Sequence, residues 1–428
     1  MREVIPPKFF YISILIETGD DIMLNEAITP NLWNMFYGND SLYTGGLCCN
    51  HNYSVNHTDA SDVIGMNGNH PMFHYASPYD IAMPFNIPNT LGDEYNSYFT
   101  TDLADCNDVY KTRNFISKFG FKNYLYHNDV IPEIQPWKYE SLDFTRDSLF
   151  MNGLTKKIKS FSEDKPFYIH YLTIHMHMDQ KLTEQNKSMF DELETEFGEK
   201  LDKAEQEGKW KNQFEPNTED WYRFRRFALK TMDFDKGLNI LFNTLYGSGS
   251  SDFLKNTLLV VYGDHYWYEN SSNGETYAKR IRNDYDDSNI KQYKTVLGLY
   301  HPKLSSKLKE DFDGNNFNKV TWPSVIVPTV LNLLGKDYNP RIYEGKSLFD
   351  PEYSNNEVFY SNWKYYFFNE HFTSVDGHNV TQTWDDEQSI NDFKERLEFL
   401  KKQLRVIDTI YYYNIFGKYN YSEFMPKK

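Results

Sequence analysis

Residues that could bind a metal ion follow two apolar stretches of the sequence. Glu17 comes directly after the first stretch, and Asp264 and His265 come shortly after the five-residue stretch Leu258–Tyr262. In open α/β sheets, ligands bind beyond the carboxyl ends of the strands, so these side chains could meet at one edge of a sheet. Two carboxylates and an imidazole suit Mn²⁺, Zn²⁺ or Mg²⁺. Glu17 taken alone fits an ordinary loop acid, whereas the Asp-His pair after an apolar strand favours a site.

A hydroxyl group and two histidines have comparable positions in the sequence. Thr58 lies near the start of a segment, residues 56–68, that is typical of a helix. Threonine caps many helices, but a hydroxyl next to a cation and a helix N-terminus could also act as a nucleophile. His175 and His177 follow a third apolar stretch and should therefore lie at the same edge of the sheet. His177 is the better functional candidate of the two, and a place in a surface loop remains open for either.

The elements that must position these residues form an alternating pattern. The predicted strands are Phe9–Ile16, Phe167–Thr173, Thr257–Tyr262 and Thr295–Tyr300. The predicted helices are Arg146–Phe161, Trp221–Tyr246 and Pro323–Leu334, the last of which is ended by Gly335. Short apolar runs that alternate with helical stretches predict an α/β fold, with a mostly parallel central sheet and helices on both faces.

Two segments depart from this alternation. Residues 181–219 are charged and rich in Glu and Lys, which predicts a helical surface insertion, in the simplest case without a catalytic role. After about residue 350 the content of aromatic residues and Asn rises, and Ile390–Val406 has the pattern of an amphipathic helix. We therefore expect one large domain over residues 1–350 and a small C-terminal subdomain over residues 351–428 that packs on it.

The composition restricts the partners of the protein. The chain has 45 basic and 61 acidic residues and a formal net charge of −16. Nucleic acid is not an expected partner, because phosphate backbones are bound by basic surfaces. An anionic substrate would need a local positive centre, which a divalent cation would supply. The three cysteines, Cys48, Cys49 and Cys106, have neither the number of a disulfide framework nor the spacing of zinc ligands.

No run of 18 apolar residues occurs in the sequence, so no segment of it is expected to span a bilayer. The apolar run Phe9–Ile16 is too short and too rich in β-branched residues for the core of a signal peptide, and it predicts a buried first strand instead. We therefore expect either a cytoplasmic protein or one whose membrane anchor preceded residue 1.

The order of these pieces resembles the sulfatase-like branch of the alkaline phosphatase superfamily. Glu17 ends a strand, and Thr58 follows about 40 residues later. Next come the strings KPFYIHYLTIHMH, ALKTMDFDKGLNILFNTLYGSG, NTLLVVYGDH, TVLGLYHPKL, VTWPSVIVPTVLNLLG and YEGKSLFDPE. Each string alone is only moderately specific. Six of them in the order of the family's strand and helix blocks, over residues 8–352, make a coincidence improbable.

The residues around Thr58 distinguish the branches of that superfamily. A sulfatase needs a Cys or Ser that is followed two and four residues later by Pro and Arg, whereas Thr58 is followed by Ala60 and Asp62. This departure argues against sulfatase chemistry. A threonine nucleophile, the single acid Glu17 and the string TDASD instead resemble lipoteichoic acid synthases and related glycerol-phosphate transferases.

This resemblance implies a metal site and a substrate site. One divalent cation, Mn²⁺ by resemblance with Mg²⁺ or Zn²⁺ as alternatives, would be bound by Glu17, Thr58, Asp264 and His265. His177 would contact the phosphate or glycerol of the substrate. The string VYKTRNFISKFGFKNY resembles the family's Trp-x-Arg substrate segment, which makes Arg113 a candidate phosphate ligand. Lys111 stands where the tryptophan would be, and the nearest aromatic residue is Tyr110.

The resemblance also implies a reaction. Thr58 would attack a phosphodiester, and the resulting phospho-threonine would be resolved by an acceptor hydroxyl or by water. His177 could protonate the leaving alcohol. The donor would be the phospholipid phosphatidylglycerol, and the acceptor a glycerol-phosphate polymer or a cell-wall glycan. The full-length protein would then work at a membrane surface, on the extracellular face of a bacterial plasma membrane.

Two alternatives to the transferase remain open at this point. The first is a soluble phosphodiesterase or phosphate-ester hydrolase on the same fold, for which a lipid donor and a membrane anchor are unnecessary. The second is a catalytically inactive carbohydrate-binding or scaffold protein. The four predicted metal ligands argue against the second alternative, because a binding module has no need of them.

Overall fold

The computed structural model describes residues 9–38, 42–54, 57–70, 81–103, 116, 118–139, 142–161, 163–177, 180–282, 290–304, 315–353, 358–360, 365–368, 372–374, 381–382 and 387–425. Within these ranges the strands are β1 Phe10–Ile16, β2 Gly46–Asn52, β3 Asn96–Thr101, β4 Asn123–Leu125, β5 Trp137–Tyr139, β6 Leu142–Phe144, β7 Phe167–Leu172, β8 Thr257–Gly263, β9 Leu297–Tyr300, β10 Asn316–Thr321, β11 Val358–Tyr360, β12 Tyr365–Phe368, β13 Phe372–Ser374 and β14 Thr381–Gln382.

The α-helices in the same ranges are α1 Pro30–Tyr37, α2 Thr58–Asn67, α3 Ile87–Leu91, α4 His127–Val130, α5 Asp147–Lys159, α6 Lys187–Gln206, α7 Glu219–Tyr246, α8 Asp252–Lys255, α9 Tyr277–Ile281, α10 Ile326–Leu333, α11 Glu387–Tyr412 and α12 Ile415–Lys418. Short 3₁₀ helices are formed by Asp21–Met23, Gly92–Glu94, Ile290–Tyr293, Pro323–Val325, Pro340–Ile342 and Tyr421–Phe424.

Eight strands form the central sheet, in the order β10-β2-β9-β8-β1-β7-β3-β4. All neighbouring pairs are parallel except those of β9, which runs antiparallel to both β2 and β8. Every residue of β1 is buried, as expected for a strand in a parallel sheet that is covered on both faces. The prediction of an α/β fold with a mostly parallel sheet is confirmed.

Helices cover both faces of this sheet, and two neighbouring residues of β7 show how. His170 contacts Asp62 of α2, whereas Tyr171 donates a hydrogen bond to Asp147 of α5 at 3.0 Å. Successive side chains of a strand point to opposite faces, so α2 and α5 lie on opposite sides of the sheet. The long helix α7 packs against α1, α5 and α6 and so belongs to the α5 side.

The C-terminal part of the chain contains a separate four-stranded antiparallel sheet, in the order β11-β12-β13-β14, and the long helix α11. Helix α11 packs on the main body through Tyr411, whose hydroxyl accepts a hydrogen bond from the Asn67 side chain at the end of α2. The side-chain amide of Gln403 also donates to the Tyr343 carbonyl oxygen at 2.8 Å. These contacts attach α11 next to the C-terminal end of α2.

The structure also bears on the cysteines and on membrane-spanning segments. Cys48 and Cys49 are buried in β2 as free thiols, and Cys106 lies outside the described residues. Among the helices of the described residues, none is both long enough and apolar enough to pass through a bilayer.

A buried carboxyl group lies beside α11. Glu344 is 8% exposed, and one of its carboxyl oxygens accepts the backbone N–H of His70 at 2.9 Å. Burial and the nearby Asp408 of α11 raise the pKa of Glu344 from 4.5 to about 8, although the hydrogen bond from His70 lowers it. The folded protein therefore favours the protonated form of Glu344 at neutral pH.

We expect the substitution Glu344→Gln to stabilise the protein at alkaline pH. In the unfolded chain Glu344 ionises near pH 4.5, whereas in the folded chain it ionises near pH 8. Stability should therefore fall as the pH rises through this window, because the unfolded state binds fewer protons. Glutamine stays neutral, so E344Q should gain on the order of 2 kcal/mol of unfolding free energy at pH 8.5 and almost nothing at pH 4.

Urea unfolding at several pH values measures this gain. Glu352→Gln is a matched control, because Glu352 is exposed and lies on the same connection. A variant E344Q that is less stable than the parent protein at every pH would contradict the prediction.

Candidate active site

The metal-type residues Glu17 and Asp264 are brought together by two neighbouring strands. In the parallel pairing of β1 and β8, Ile16 lies opposite Gly263, so the next residues of the two chains are also neighbours. Both carboxyl groups are fully buried. Both acids therefore lie directly after strand ends, as predicted from the sequence, and the pairing of β1 with β8 makes them neighbours.

Two glycines allow the strand ends to approach each other closely. A Cβ atom on Gly263 would lie 2.1 Å from the carbonyl oxygen of Gly19, and one on Gly19 would lie 2.3 Å from the Cα atom of Gly263. Thr18, which lies between Glu17 and Gly19 in the sequence, has a φ of +50°, which is unusual for a β-branched residue. Backbone strain of this kind often occurs at functional sites.

The backbone of Asp264 is fixed by two hydroxyl groups. Ser54 and Ser61 each donate a hydrogen bond to the Asp264 carbonyl oxygen, at 2.5 Å in both cases. The backbone N–H of Asp264 donates to the carbonyl oxygen of Ile16 at 3.1 Å. The orientation of the Asp264 side chain is thus set by contacts from three separate segments, and the two serines were not identified from the sequence.

Thr58 is the first residue of α2, and its hydroxyl lies between the two carboxylates. The Thr58 Oγ1 atom is 3.0 Å from Glu17 Oε2 and 2.7 Å from Asp264 Oδ2. Helix α2 is held on the sheet by Asp62, whose carboxylate lies 2.6 Å from Nε2 of the buried His170. The predicted helix start therefore lies at the strand edge, where the partial positive charge of the helix N-terminus faces the site.

His265 completes this group with one ring nitrogen. Its Nδ1–H donates to the carbonyl oxygen of Tyr266 at 2.9 Å. Its Nε2 atom lies 3.1 Å from Glu17 Oε1 and 3.3 Å from Asp264 Oδ2. A backbone partner on one ring nitrogen fixes the orientation of the ring and directs the other nitrogen to the site, as is common for histidines that bind metals.

The charges of the group favour a cation. Burial and the charge of Glu17 raise the pKa of Asp264 well above its usual range. Burial also raises the pKa of Glu17, but the charges of His177 and His265, together with hydrogen bonds from His265 and Thr58, bring it down to about 2. The pKa of His265 is lowered by burial and raised by Asp264 and Glu17, to about 9 in total. Two buried carboxylates side by side thus draw positive charge to themselves.

A divalent cation fits these residues. Ligand atoms of Glu17, Asp264 and His265 lie within 4.8 Å of one another, which is close enough for one metal ion to be bound by all three. The hydroxyl of Thr58 lies within hydrogen-bonding distance of both carboxylates. Oxygen and imidazole donors of this kind are suited to Mn²⁺, Mg²⁺ or Zn²⁺.

The remaining predicted site residues differ in how the structure places them. His177 lies in the turn after β7, and this turn begins beside Glu17, whose backbone N–H donates to Oγ1 of Thr173 at 3.1 Å. His175 is buried on the other side of that turn, 3.4 Å from a carboxyl oxygen of Asp233. Tyr110 and Arg113 lie outside the described residues.

An aromatic side chain near the site was not identified from the sequence. The ring of Tyr268 lies 4.5 Å from that of His265 and 5.4 Å from that of His57, measured between ring centroids. Burial raises the pKa of Tyr268, and the charges of Glu17 and Asp264 raise it further. The sequence signal that could have identified Tyr268 is the run of aromatic residues that directly follows Asp264 and His265.

Solved structures of other proteins share the fold of this chain. The lipoteichoic acid synthase LtaP from Listeria monocytogenes has a TM-score of 0.65 and 16% identity, over 94% of this chain and 92% of that one. An alkaline phosphatase superfamily protein from Vibrio parahaemolyticus has a TM-score of 0.59 and 14% identity, over 95% and 89%. Phosphonate monoester hydrolase from Agrobacterium radiobacter has 0.53 and 12%, over 92% and 96%. At these identities the similarity shows a shared fold.

The family follows from the sequence itself. The family model described as Sulfatase matches residues 25–336, which is more than half of the chain, so the protein belongs to the Sulfatase family. The comparison with curated proteins finds no match. The predicted resemblance to the sulfatase-like branch is confirmed.

We expect Asp264→Asn and His265→Ala to weaken metal binding at least about tenfold, because so few protein ligands would hold the ion. Isothermal titration with Mn²⁺ measures the affinity. Asp59→Asn is a control, since this acid lies beside Thr58 but outside the group of ligand atoms. Unchanged Mn²⁺ affinity in both Asp264→Asn and His265→Ala would place the metal site elsewhere.

We expect Gly263→Ala to destabilise the protein by about 1–3 kcal/mol, because its Cβ atom would overlap the backbone of Gly19. Chemical unfolding measures the loss. Gly249→Ala is the matched control, since a Cβ atom on Gly249 meets nothing within 4 Å. Equal stability of the two variants would show that the close approach of the strand ends is not a constraint.

Proposed function

We propose that the protein is a metal-dependent phosphotransferase in which Thr58 is the nucleophile. One observation carries this proposal: the Thr58 hydroxyl lies between the carboxylates of Glu17 and Asp264, at the N-terminus of a ten-residue helix. The oxygen is therefore positioned by three elements at once, and its proton has acceptors within 3.0 Å. A threonine that served only as a cap would need no carboxylates around its hydroxyl.

The reaction begins with the attack of Thr58 Oγ1 on the phosphorus of a phosphodiester. A bond from Oγ1 to phosphorus forms, the bond from phosphorus to the leaving alcohol breaks, and the hydroxyl proton passes to a neighbouring carboxylate. His177 at the edge of the site protonates the leaving alcohol. An acceptor hydroxyl then attacks the phospho-threonine, the bond from phosphorus to Oγ1 breaks, and the phosphoryl group passes to the acceptor with its remaining ester substituent. The acceptor proton passes to His177, and the carboxylate returns its proton to Oγ1. Arg113 and Tyr110 are proposed as substrate ligands on the basis of the sequence alone.

A divalent cation, for which we propose Mn²⁺ with Mg²⁺ or Zn²⁺ as alternatives, would be held by Glu17, Thr58, Asp264 and His265, and it would lower the pKa of the hydroxyl and neutralise charge on the phosphate oxygens. The buried carboxylates support this assignment, because burying two adjacent negative charges without a compensating cation is costly. The formal net charge of −16 supports it further, since an anionic substrate needs a local positive centre.

The substrates that we propose are those of lipoteichoic acid synthesis. The donor is phosphatidylglycerol, and glycerol phosphate passes to a glycerol-phosphate polymer or a cell-wall glycan on the extracellular face of a bacterial membrane. The similarity in fold to the synthase LtaP and the threonine at the nucleophile position support this choice. The absence of the sulfatase Pro and Arg after Thr58 argues against a sulfate ester.

Hydrolysis of a soluble phosphate ester is the second candidate. The same phospho-threonine can be resolved by water, and the similarity to phosphonate monoester hydrolase favours keeping this possibility. The two candidates share Thr58 and the cation and differ in the donor and in the acceptor. A lipid donor and a soluble diester therefore distinguish them in parallel assays.

We expect Thr58→Ala to reduce turnover at least about a thousandfold, because the attacking oxygen is removed. The assay is release of diacylglycerol from a fluorescent phosphatidylglycerol in the presence of Mn²⁺, with bis(p-nitrophenyl) phosphate as a soluble diester in parallel. Folding should be unchanged, since Thr58 is only partly buried. Thr409→Ala, at an exposed position of α11, is the control. Normal turnover of Thr58→Ala would remove the nucleophile assignment.

A further inference from the structure

The turn that carries His177 packs on helix α7. The side chain of Lys230 is buried, at 2% exposure, and its Nζ atom donates to the carbonyl oxygen of His177 at 3.4 Å. The next residue, Thr231, places its hydroxyl 3.9 Å from the sulfur of Met176 in the same turn. The backbone of the turn thus rests on two consecutive side chains of α7.

The inserted helix α6 covers Lys230 from the other side. The Nζ atom of Lys230 lies 5.3 Å from the centroid of the Phe190 ring, within the range of a cation–π contact. Phe190 is itself buried. The ammonium group therefore lies between a ring of α6 and the His177 turn.

A second connection runs from α6 to the same turn through Arg146 and Asp233. Glu196 of α6 lies 2.5 Å from a guanidinium nitrogen of Arg146, and the same nitrogen lies 2.6 Å from a carboxyl oxygen of Asp233. The other carboxyl oxygen of Asp233 is 3.4 Å from Nδ1 of His175. Arg146, Asp233 and His175 are all buried. The Arg146–Asp233 ion pair is the buried part of this connection, and breaking it would leave an uncompensated charge.

The turn matters because it begins next to the metal-type group. The backbone N–H of Glu17 donates to Oγ1 of Thr173, the first residue after β7, at 3.1 Å. The Nδ1 atom of His177 has no hydrogen-bond partner among the described residues. The position of the His177 ring therefore depends on the position of its backbone. The contacts that fix the backbone of the turn therefore also fix the His177 ring relative to Glu17.

We propose that Lys230 is a positioning residue for His177, and that α6 is a brace which holds Lys230 and the Arg146–Asp233 pair in place. This inference deepens the proposed function, since it takes from it the role of His177 at the substrate. It also gives a role to the charged insertion, for which the sequence by itself favoured a surface helix without one. Lys230 does not touch the reacting atoms and acts through His177.

The central comparison is between Lys230→Met and Lys236→Met. Lys236 is a matched control, because it lies on the same helix and pairs with Glu196 of the same insertion, but its side chain is 45% exposed. We expect Lys230→Met to lower kcat/KM about 10- to 100-fold, and Lys236→Met to stay within about twofold of the parent enzyme. Lys230→Arg should recover part of the activity, because a cation returns to the site. Equal effects of the two methionine variants would overturn the proposal.

A double variant shows whether Lys230 acts through His177. In a His177→Ala background, Lys230→Met should add less than about a twofold further loss, because the group that it positions is absent. Losses that multiply would mean that Lys230 supports the fold or the metal site independently of His177, and would overturn the proposal. The Mn²⁺ affinity of Lys230→Met should equal that of the parent protein.

Hydrogen–deuterium exchange tests the same contact without any activity. The peptide that contains residues 174–177 should exchange at least about fivefold faster in Lys230→Met than in Lys236→Met. Phe190→Leu keeps the lysine and removes the aromatic ring, so it should increase the exchange rate of this peptide by an intermediate amount. This variant replaces Lys230→Met in the comparison if Lys230→Met folds poorly. Unchanged exchange in both Lys230→Met and Phe190→Leu would overturn the proposal. A parent enzyme inactive on every phosphodiester would instead count against the proposed function, and the exchange result would still test the brace.

Discussion

The structure of the site depends on one electrostatic constraint, the burial of two carboxylates at adjacent strand ends. Glu17 and Asp264 are both fully buried, and the parallel pairing of β1 with β8 leaves them side by side. Like charges in a medium of low dielectric repel strongly, so the arrangement persists only if positive charge and hydrogen-bond donors compensate it. His265 and the hydroxyl of Thr58 supply part of that compensation. A bound cation is the natural source of the rest.

Much of the surrounding structure serves to hold these groups in place. Gly19 and Gly263 let two backbone segments approach within van der Waals contact, and Ser54 and Ser61 fix the carbonyl oxygen of Asp264. On the other side of the sheet, the buried charges beneath the His177 turn extend to the inserted helix α6. Catalytic groups need support of this kind, because small displacements from the productive geometry cost large factors in rate. We propose that helix α6 belongs to this support.

The sequence predicted the main elements well where a pattern was long and strongly apolar. The predicted strand Phe9–Ile16 is observed as Phe10–Ile16, and the predicted helix Trp221–Tyr246 as Glu219–Tyr246. The amphipathic segment Ile390–Val406 is longer than predicted, since α11 spans Glu387–Tyr412. Near its end, Tyr411 is buried and Tyr412 is exposed, and the segment beyond Val406 was not included in the predicted helix. Element types were thus predictable, and element ends were less so.

The sequence by itself determined which side chains stand at strand ends and at the start of α2, because local periodicity defines where a strand or helix stops. It therefore identified Glu17, Thr58, Asp264 and His265 as candidates. Only the tertiary structure decided that these four meet, and that Lys230 lies beneath His177, 53 residues away in the chain. The physical reason is that such contacts depend on the order of strands in the sheet, with β1 between β7 and β8, and on the packing of α7 below it. The strand order is determined by the burial of the whole core, and no short segment of the sequence predicts it alone.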